Sequence, residues 1–214
     1  MGRRIMIVGN GELPPGVAGF IDLSDIVIRF NDCRSLGAGG SRTDVVAVCN
    51  TGRPGREMTE GSDWRESDGV RQASTIWSVR DPAKFSEMEP DIRARWPELT
   101  DFCADYTPGF AAIAAQTGKS HTVIPRGVHE RLDTALAAYA TAPYVCPSTG
   151  LFAIAHVLES VSGDGDEVAI AGFGHSGWSG HPFPAEQQLV ETLTNEGRLT
   201  RISPTSIFSA SEGA

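Results

Sequence analysis

Residues 144–190 read YVCPSTGLFAIAHVLESVSGDGDEVAIAGFGHSGWSGHPFPAEQQLV, and this segment carries the clearest helix and strand patterns of the chain. Ser148 is of a type that caps helix starts, so a helix is predicted from Ser148 to about Ser160. A buried strand is predicted from Glu167 to Ala171, and it stops at a glycine turn that begins with Gly172. In an open parallel sheet, ligands bind at the carboxyl edge, where such strands stop.

A group of titratable side chains follows this glycine turn. His175, His181 and Glu186 lie with Trp178 in a loop rich in glycine. Imidazole titrates near neutral pH and therefore suits acid–base chemistry. The loop is the candidate active site.

Continuous apolar runs and helical patterns extend the interpretation to the rest of the chain. Further buried strands are predicted at Arg4–Val8, Asp25–Asn31, Val45–Asn50, Ser74–Val79, His121–Pro125 and Leu199–Ile202. Helices are predicted over Lys84–Trp96, Val128–Ala140 and Ala185–Leu193, and Pro90 is expected to break the first of them. A surface helix or lid is predicted at 57–72, and the Ser/Gly/Ala-rich C-terminal end is expected to be frayed. The alternation predicts a doubly wound, mostly parallel sheet flanked by helices, in a single domain of residues 1–214.

Asparagines stand at the ends of the first two predicted strands. The first strand stops at Gly9-Asn10-Gly11, and the second ends at Asn31. An amide donates and accepts hydrogen bonds, so it suits a pyrimidine edge or ribose hydroxyls, but each Asn is equally consistent with capping its own turn. No G-x-G-x-x-G begins at Gly9, so a dinucleotide fingerprint is not predicted.

Composition excludes several classes of function. The net charge of -9 argues against a nucleic-acid-binding protein, because the basic face that neutralises phosphates is missing. No apolar run is long enough for a transmembrane segment, and no signal sequence is recognisable. The four cysteines are far apart without C-x-x-C spacing, which is typical of reduced thiols and leads us to expect a cytoplasmic protein.

Several segments, taken together and in order, resemble three motifs of the family-29 sialyltransferases. IVGNG at 7–11, followed by DIVIRFN at 25–31 and GGSRTD at 39–44, is similar to the long sialylmotif. PSTGLFAIAHVL at 147–158, running into DEVAIAGFG, is similar to the short one, and HPFPAE at 181–186 has the H-x-x-x-x-E spacing of the very short one. The middle of the chain, about 55–140, carries no match.

This resemblance implies a Rossmann-like fold of the GT-A-variant sialyltransferase type. It also implies an inverting glycosyltransferase that moves a sugar acid from a CMP-activated donor, sialic acid or the lipopolysaccharide sugar Kdo, to a hydroxyl of a glycan or lipopolysaccharide-type acceptor. By the same resemblance the reaction needs neither a metal ion nor another cofactor. The motifs do not choose between the two donors.

The resemblance also implies roles for individual residues. His181 is then the general base, His175 the partner of the departing phosphate, and Glu186 either orients a neighbouring group or has no catalytic part. The donor would be bound by two sets of residues: Gly9, Asn10, Gly11, Asn31 and Gly172 around the nucleotide, and Ser148, Thr149 and Gly150 at a helix N-terminus facing the cytidine, ribose or sugar carboxylate.

The chain departs from the family pattern in two places. The two positions of the family's disulfide hold Ile5 and Gly165. The segment HSGWSG at 175–180, where the family's third motif is expected, lies directly against HPFPAE. Acceptor recognition therefore cannot be carried over from the family.

Two other functions are consistent with the sequence. Short bacterial proteins that this chain resembles carry the label urease operon accessory protein, which describes gene neighbourhood, so a non-catalytic nucleotide-binding accessory protein is one alternative. A metal-dependent hydrolase, with His175, His181 and Glu186 as ligands, is another.

Overall fold

A computed structural model describes residues 2–139 and 142–202. Its centre is a seven-stranded sheet in which every neighbouring pair of strands is parallel. The strands are β1 (Arg4–Val8), β2 (Ile26–Phe30), β3 (Val45–Val48), β4 (Thr75–Ser78), β5 (Ser120–Val123), β6 (Glu167–Ala171) and β7 (Thr200–Arg201). The predicted fold class, a doubly wound parallel sheet flanked by helices, is confirmed.

The helices pack on both faces of this sheet. They are α1 (Val17–Asp22), α2 (Gly52–Glu60), α3 (Asp63–Glu66), α4 (Asp68–Gln72), α5 (Pro82–Arg95), α6 (Thr107–Thr117), α7 (Arg126–Leu136), α8 (Thr149–His156) and α9 (Phe183–Asn195). Burial on both faces explains why the strand sequences are continuously apolar. In β1, Ile5 and Ile7 join the core cluster that contains α8, whereas Met6 and Val8 join the cluster on the opposite face with α1.

The order of the strands places a crevice at the centre of the sheet. The order is β5-β4-β3-β2-β1-β6-β7, so the chain proceeds from β1 to one side through β5 and then returns to the other side with β6. The carboxyl ends of β1 and β6 therefore flank a topological switch point, the usual ligand site of such sheets.

Three predicted helices differ from those observed. Pro90 does not break α5. The proline is on the exposed side of the helix, so water can solvate the backbone carbonyl group that loses its helical partner. The helix that starts after Ser148 is α-helical only to His156 and continues as a π-helical turn over Val157–Val161. Residues 57–72 form the end of α2 and the short helices α3 and α4. The predicted frayed end lies outside the described residues.

Candidate functional site

A cavity of about 500 Å³ opens at the carboxyl edge of the sheet, beside the switch point. We call it the edge cavity. All the residues for which the sequence predicted a role line it: Gly9, Asn10, Gly11, Asn31, Ser148, Thr149, Gly150, Gly172, His175, His181 and Glu186. The fold thus brings together two groups of residues that are more than a hundred positions apart in the chain.

Two glycine turns close the base of the edge cavity. The Gly9 N–H donates to the Ala171 carbonyl at 2.8 Å, and the Gly11 N–H donates to the Gly172 carbonyl at 2.9 Å. A Cβ atom on Gly9 would lie 2.3 Å from the Gly172 oxygen, and Gly172 itself has a φ of 71°. Only glycine allows the turns after β1 and β6 to approach this closely.

The N-terminus of α8 presents two backbone N–H groups at the edge cavity. Four N–H groups at a helix start have no partner within the helix. The Ser148 N–H donates to Glu186 Oε1 at 2.7 Å, and the Leu151 N–H donates to Ser148 Oγ at 3.2 Å. Among the described residues, the N–H groups of Thr149 and Gly150 have no hydrogen-bond acceptor, and together with the helix dipole they favour an anion.

Glu186 fixes this helix start and does not face open solvent. Its carboxylate accepts both the Ser148 N–H and, at 2.6 Å, the Ser148 hydroxyl, and its side chain is almost completely buried. Burial raises the pKa of Glu186, although the two bonds from Ser148 oppose this effect. These contacts favour the orienting alternative for Glu186 over a direct role in the reaction.

His181 is held as a neutral base by a backbone contact. Its Nδ1 lies 2.8 Å from the Cys146 carbonyl oxygen, which accepts only, so Nδ1 carries the proton and Nε2 keeps its lone pair. Burial lowers the pKa of His181 to about 4; the bond to Cys146 opposes this shift, and the charge of Arg80 adds to it. Trp178 packs edge-on against the imidazole, with 4.9 Å between the ring centroids.

His175 has the same tautomer as His181, but a side chain fixes it. Its Nε2 accepts from Arg201 Nη2 at 2.9 Å, so Nδ1 carries the proton and is a donor. Burial lowers the pKa of His175, and the charge of Arg201 lowers it further. The residue has a φ of 47°, which turns the chain sharply after β6. His175 therefore supplies a neutral N–H group to the edge cavity.

The two asparagines differ in how they are engaged. Asn31 Oδ1 accepts the Cys49 N–H at 2.9 Å, which ties the ends of β2 and β3 together and matches the turn-capping alternative for its carbonyl group. Asn10 is exposed, and its only contact among the described residues is a long one of 3.4 Å from Nδ2 to the Phe30 carbonyl. The amide of Asn10 is thus available to a ligand in the edge cavity.

A second cavity of about 550 Å³ adjoins the first and was not predicted from the sequence. We call it the side cavity. It shares Asn31, Thr149, Trp178 and His181 with the edge cavity. Its other walls include Thr51, Arg53, Arg80, Asp101 and Phe102. The imidazole of His181 therefore stands at the junction of two spaces, each large enough for part of a substrate.

The ligand set of the metallohydrolase alternative does not assemble. Within residues 2–139 and 142–202, no three side chains of His, Cys, Asp or Glu converge as a metal site requires. His175 is bonded to Arg201, and the carboxylate of Glu186 is engaged by Ser148. The geometry of these donors gives no support to a hydrolase.

Two solved structures with a similar fold are sialyltransferases. A mammalian sialyltransferase aligns with a TM-score of 0.54 and 16% identity over 94% of this chain and 69% of its own. The sialyltransferase CstII in complex with CMP aligns with a TM-score of 0.51 and 11% identity over 96% of this chain and 84% of its own. The fold and the cavity at its edge thus define an α/β protein of the sialyltransferase fold.

A closer relative shows the family. The chain is 51% identical over 213 residues to the urease operon 23 kDa accessory protein of Rhizobium meliloti (strain 1021), with 100% of this chain and 99% of the relative aligned. The protein belongs to the family of this accessory protein. No protein-family model matches the sequence. Among the described residues, no helix has the length and hydrophobicity needed to cross a membrane.

Proposed function

We propose that this protein is a glycosyltransferase that moves a sialic-acid-type or Kdo-type sugar from a CMP-activated donor to an acceptor hydroxyl, with inversion and without a metal ion. One observation carries the proposal. The unprotonated Nε2 of His181 shares the edge cavity with the free N–H groups of Thr149 and Gly150. A base and an anion site are therefore adjacent. The CMP that occupies CstII supports the choice of nucleotide.

The reaction requires one proton transfer and one exchange of bonds. His181 Nε2 takes the proton of the acceptor hydroxyl as its oxygen bonds to the anomeric carbon of the sugar. The bond from that carbon to the phosphate oxygen breaks, and CMP leaves with the electron pair. The negative charge that grows on the phosphate is stabilised by the start of α8 and by the Nδ1–H of His175.

Incubation with CMP-sialic acid and with CMP-Kdo, each with EDTA and a panel of glycan acceptors, tests the proposal. We expect CMP release with one donor, and we expect His181→Ala to abolish it while CMP affinity is largely unchanged. His121→Ala is the matched control, because His121 lies on β5 and lines neither cavity. The proposal fails if neither donor releases CMP and calorimetry detects no CMP binding.

A non-catalytic accessory protein that binds CMP is the second candidate. The observation that favours it is the name of the relative, which has 51% identity, whereas the two sialyltransferase structures described above share 16% and 11%. CMP binding without transfer to any acceptor in the panel would favour this candidate. Loss of CMP affinity in a Gly172→Ala variant would then still be expected, because the cavity is the same.

A further inference from the structure

Arg80 is a buried cation that has no carboxylate partner among the described residues. Arg80 follows β4. The side chain of Asn50 accepts a hydrogen bond from the Arg80 N–H and donates one to the Arg80 carbonyl, both at 2.8 Å. The residue is only 3% exposed. Among the residues that the structure describes, no Asp or Glu forms an ion pair with it.

The guanidinium group is only partly satisfied by the protein. Nη1 donates to the Thr51 hydroxyl, Nη2 lies 3.4 Å from Cys146 Sγ, and Nε has no partner among the described residues. A guanidinium has five N–H donors, and a thiol sulfur is a weak acceptor. The rings of Phe85 and Phe102 lie 5.0 Å and 4.6 Å from its central carbon and exclude water from it. Such a desolvated donor set suits an anion with two oxygen atoms.

The charged groups around the side cavity leave this donor set available. Arg53 and Asp101 pair with each other at 3.2 Å, and Glu98, which also lines the cavity, is exposed to solvent. Thr51 caps the start of α2 without a side-chain cap bond, so this helix start adds positive potential on the same side as Arg80. Arg80 is therefore the one cation lining the side cavity that no described acidic residue neutralises.

A short path links Arg80 to the base. Cys146 Sγ contacts Arg80 Nη2 at 3.4 Å and lies 4.0 Å from His181 Nδ1. Arg80 and His181 thus approach the same thiol and line the same side cavity, so one bound sugar can contact both. We propose that the side cavity binds the carboxylate of a sugar acid through Arg80 and Thr51, and that this contact selects acidic over neutral sugars. The proposal rests on the proposed function, and it names the chemical class of the group that the side cavity binds.

The carboxylate has two possible sources, the transferred sugar or an acidic acceptor, and two pairs of probes distinguish them. The first pair is an unreactive CMP-sialic acid analogue and its methyl ester. The second is the methyl glycoside of sialic acid and the methyl ester of this glycoside, titrated into protein saturated with CMP. Charge-assisted hydrogen bonds lead us to expect at least about tenfold weaker binding of the ester in one of the pairs.

Arg80→Met should remove this preference for the acid and leave the affinity for CMP alone unchanged. Arg126→Met is the matched control, because Arg126 is exposed on α7 and pairs with Glu87 and Glu130. Arg80→Lys keeps the charge without the planar fork, so it should retain a reduced preference if Arg80→Met does not fold.

The results separate this proposal from the proposed function. Loss of the preference in the CMP-linked pair assigns the carboxylate to the donor, and loss in the glycoside pair assigns it to the acceptor. The role of Arg80 would be overturned if the preference for the acid over its ester survived in both Arg80 variants. It would also be overturned if wild-type protein bound neither acid more tightly than its ester. Absence of CMP binding would instead count against the proposed function.

Discussion

His181 combines a fixed tautomer with a lowered proton affinity. Because burial brings its pKa to about 4, the imidazole stays neutral throughout the ordinary working range of pH. We therefore expect the acid limb of kcat/KM for CMP release to lie well below pH ~6.5, the value for a free imidazole. A pH profile from about pH 4.5 to about pH 8 measures it. An acid limb at or above pH ~6.5 would contradict the assignment of His181 as the base.

Glu186 is expected to act through Ser148 and not on the substrate. Glu186→Ala would leave the partly buried Ser148 N–H and hydroxyl without an acceptor, so we expect a loss of about 1–3 kcal/mol in unfolding free energy and weaker CMP binding. Glu186→Gln keeps an oxygen for the N–H, and its amide can donate to Ser148 Oγ. It should retain most of both properties in denaturant titration and calorimetry. Equal loss of turnover in both variants, with normal CMP affinity, would instead indicate a direct catalytic role.

At the scale of elements, the contact between the turns after β1 and β6 forms the base of the edge cavity. Gly172→Ala would place a Cβ atom 2.8 Å from the Gly9 oxygen, so we expect both destabilisation and loss of CMP binding. Gly118→Ala is the matched control, because Gly118 has a similar φ of 68° at the end of α6 but open space around it.

Backbone strain alone, about 1–2 kcal/mol for a residue with positive φ, applies to both glycine variants. The crowding and the effect on CMP apply only to Gly172→Ala. Thermal unfolding and CMP calorimetry on the two proteins separate these effects. If Gly172→Ala bound CMP as wild-type protein does, the turn would have no part in the site.

The elements themselves were largely predictable because their patterns are local. A strand such as β1 is apolar at every position, since it is buried on both faces, and the helix starts at a capping serine, Ser148. Pro90 was predicted wrongly because its effect depends on exposure, which the local sequence does not reveal. The π-helical turn after His156 likewise has no recognisable local pattern.

The residues that line the edge cavity were predictable only where they lie in contiguous motifs. His175, His181 and the residues around Ser148 stand in recognisable segments. The partner of Glu186 is 38 positions away, so the contact that favours an orienting role for Glu186 is visible only in the structure. Arg80 was overlooked because it resembles an ordinary turn residue. Its position after β4 was the available signal, and its contacts with Thr51 and Cys146 come from distant segments.

For the whole molecule, the histidines determine how stability depends on pH. Burial is the largest cause of a lowered pKa at all five: His121, His129, His156, His175 and His181. The folded state therefore holds them neutral, whereas the unfolded chain binds protons below pH ~6.5. We expect the contribution of the histidines to the free energy of unfolding to be complete above pH ~6.5 and to be lost as the pH is lowered toward about 4. The raised pKa of Glu186 partly offsets this loss of stability.

His129 offers the clearest test of this pH dependence, because it is buried in the core outside both cavities and its pKa is lowered to about 4. His129→Leu should reduce the slope of unfolding free energy against pH by up to about 1.4 kcal/mol per pH unit in this range. Urea titrations at several pH values measure the slope. Equal stability of wild-type protein at about pH 5 and about pH 7.5 would contradict the expectation.

The central claim is that CMP binds between the turn after β1 and the start of α8, with His181 facing the bond that breaks. A crystal structure of the protein with CMP tests it most directly. We expect the phosphate at the N–H groups of Thr149 and Gly150, the nucleoside beside Asn10, and His181 Nε2 free to meet an acceptor. CMP bound outside the edge cavity, or an edge cavity left empty at saturating CMP, would contradict the claim.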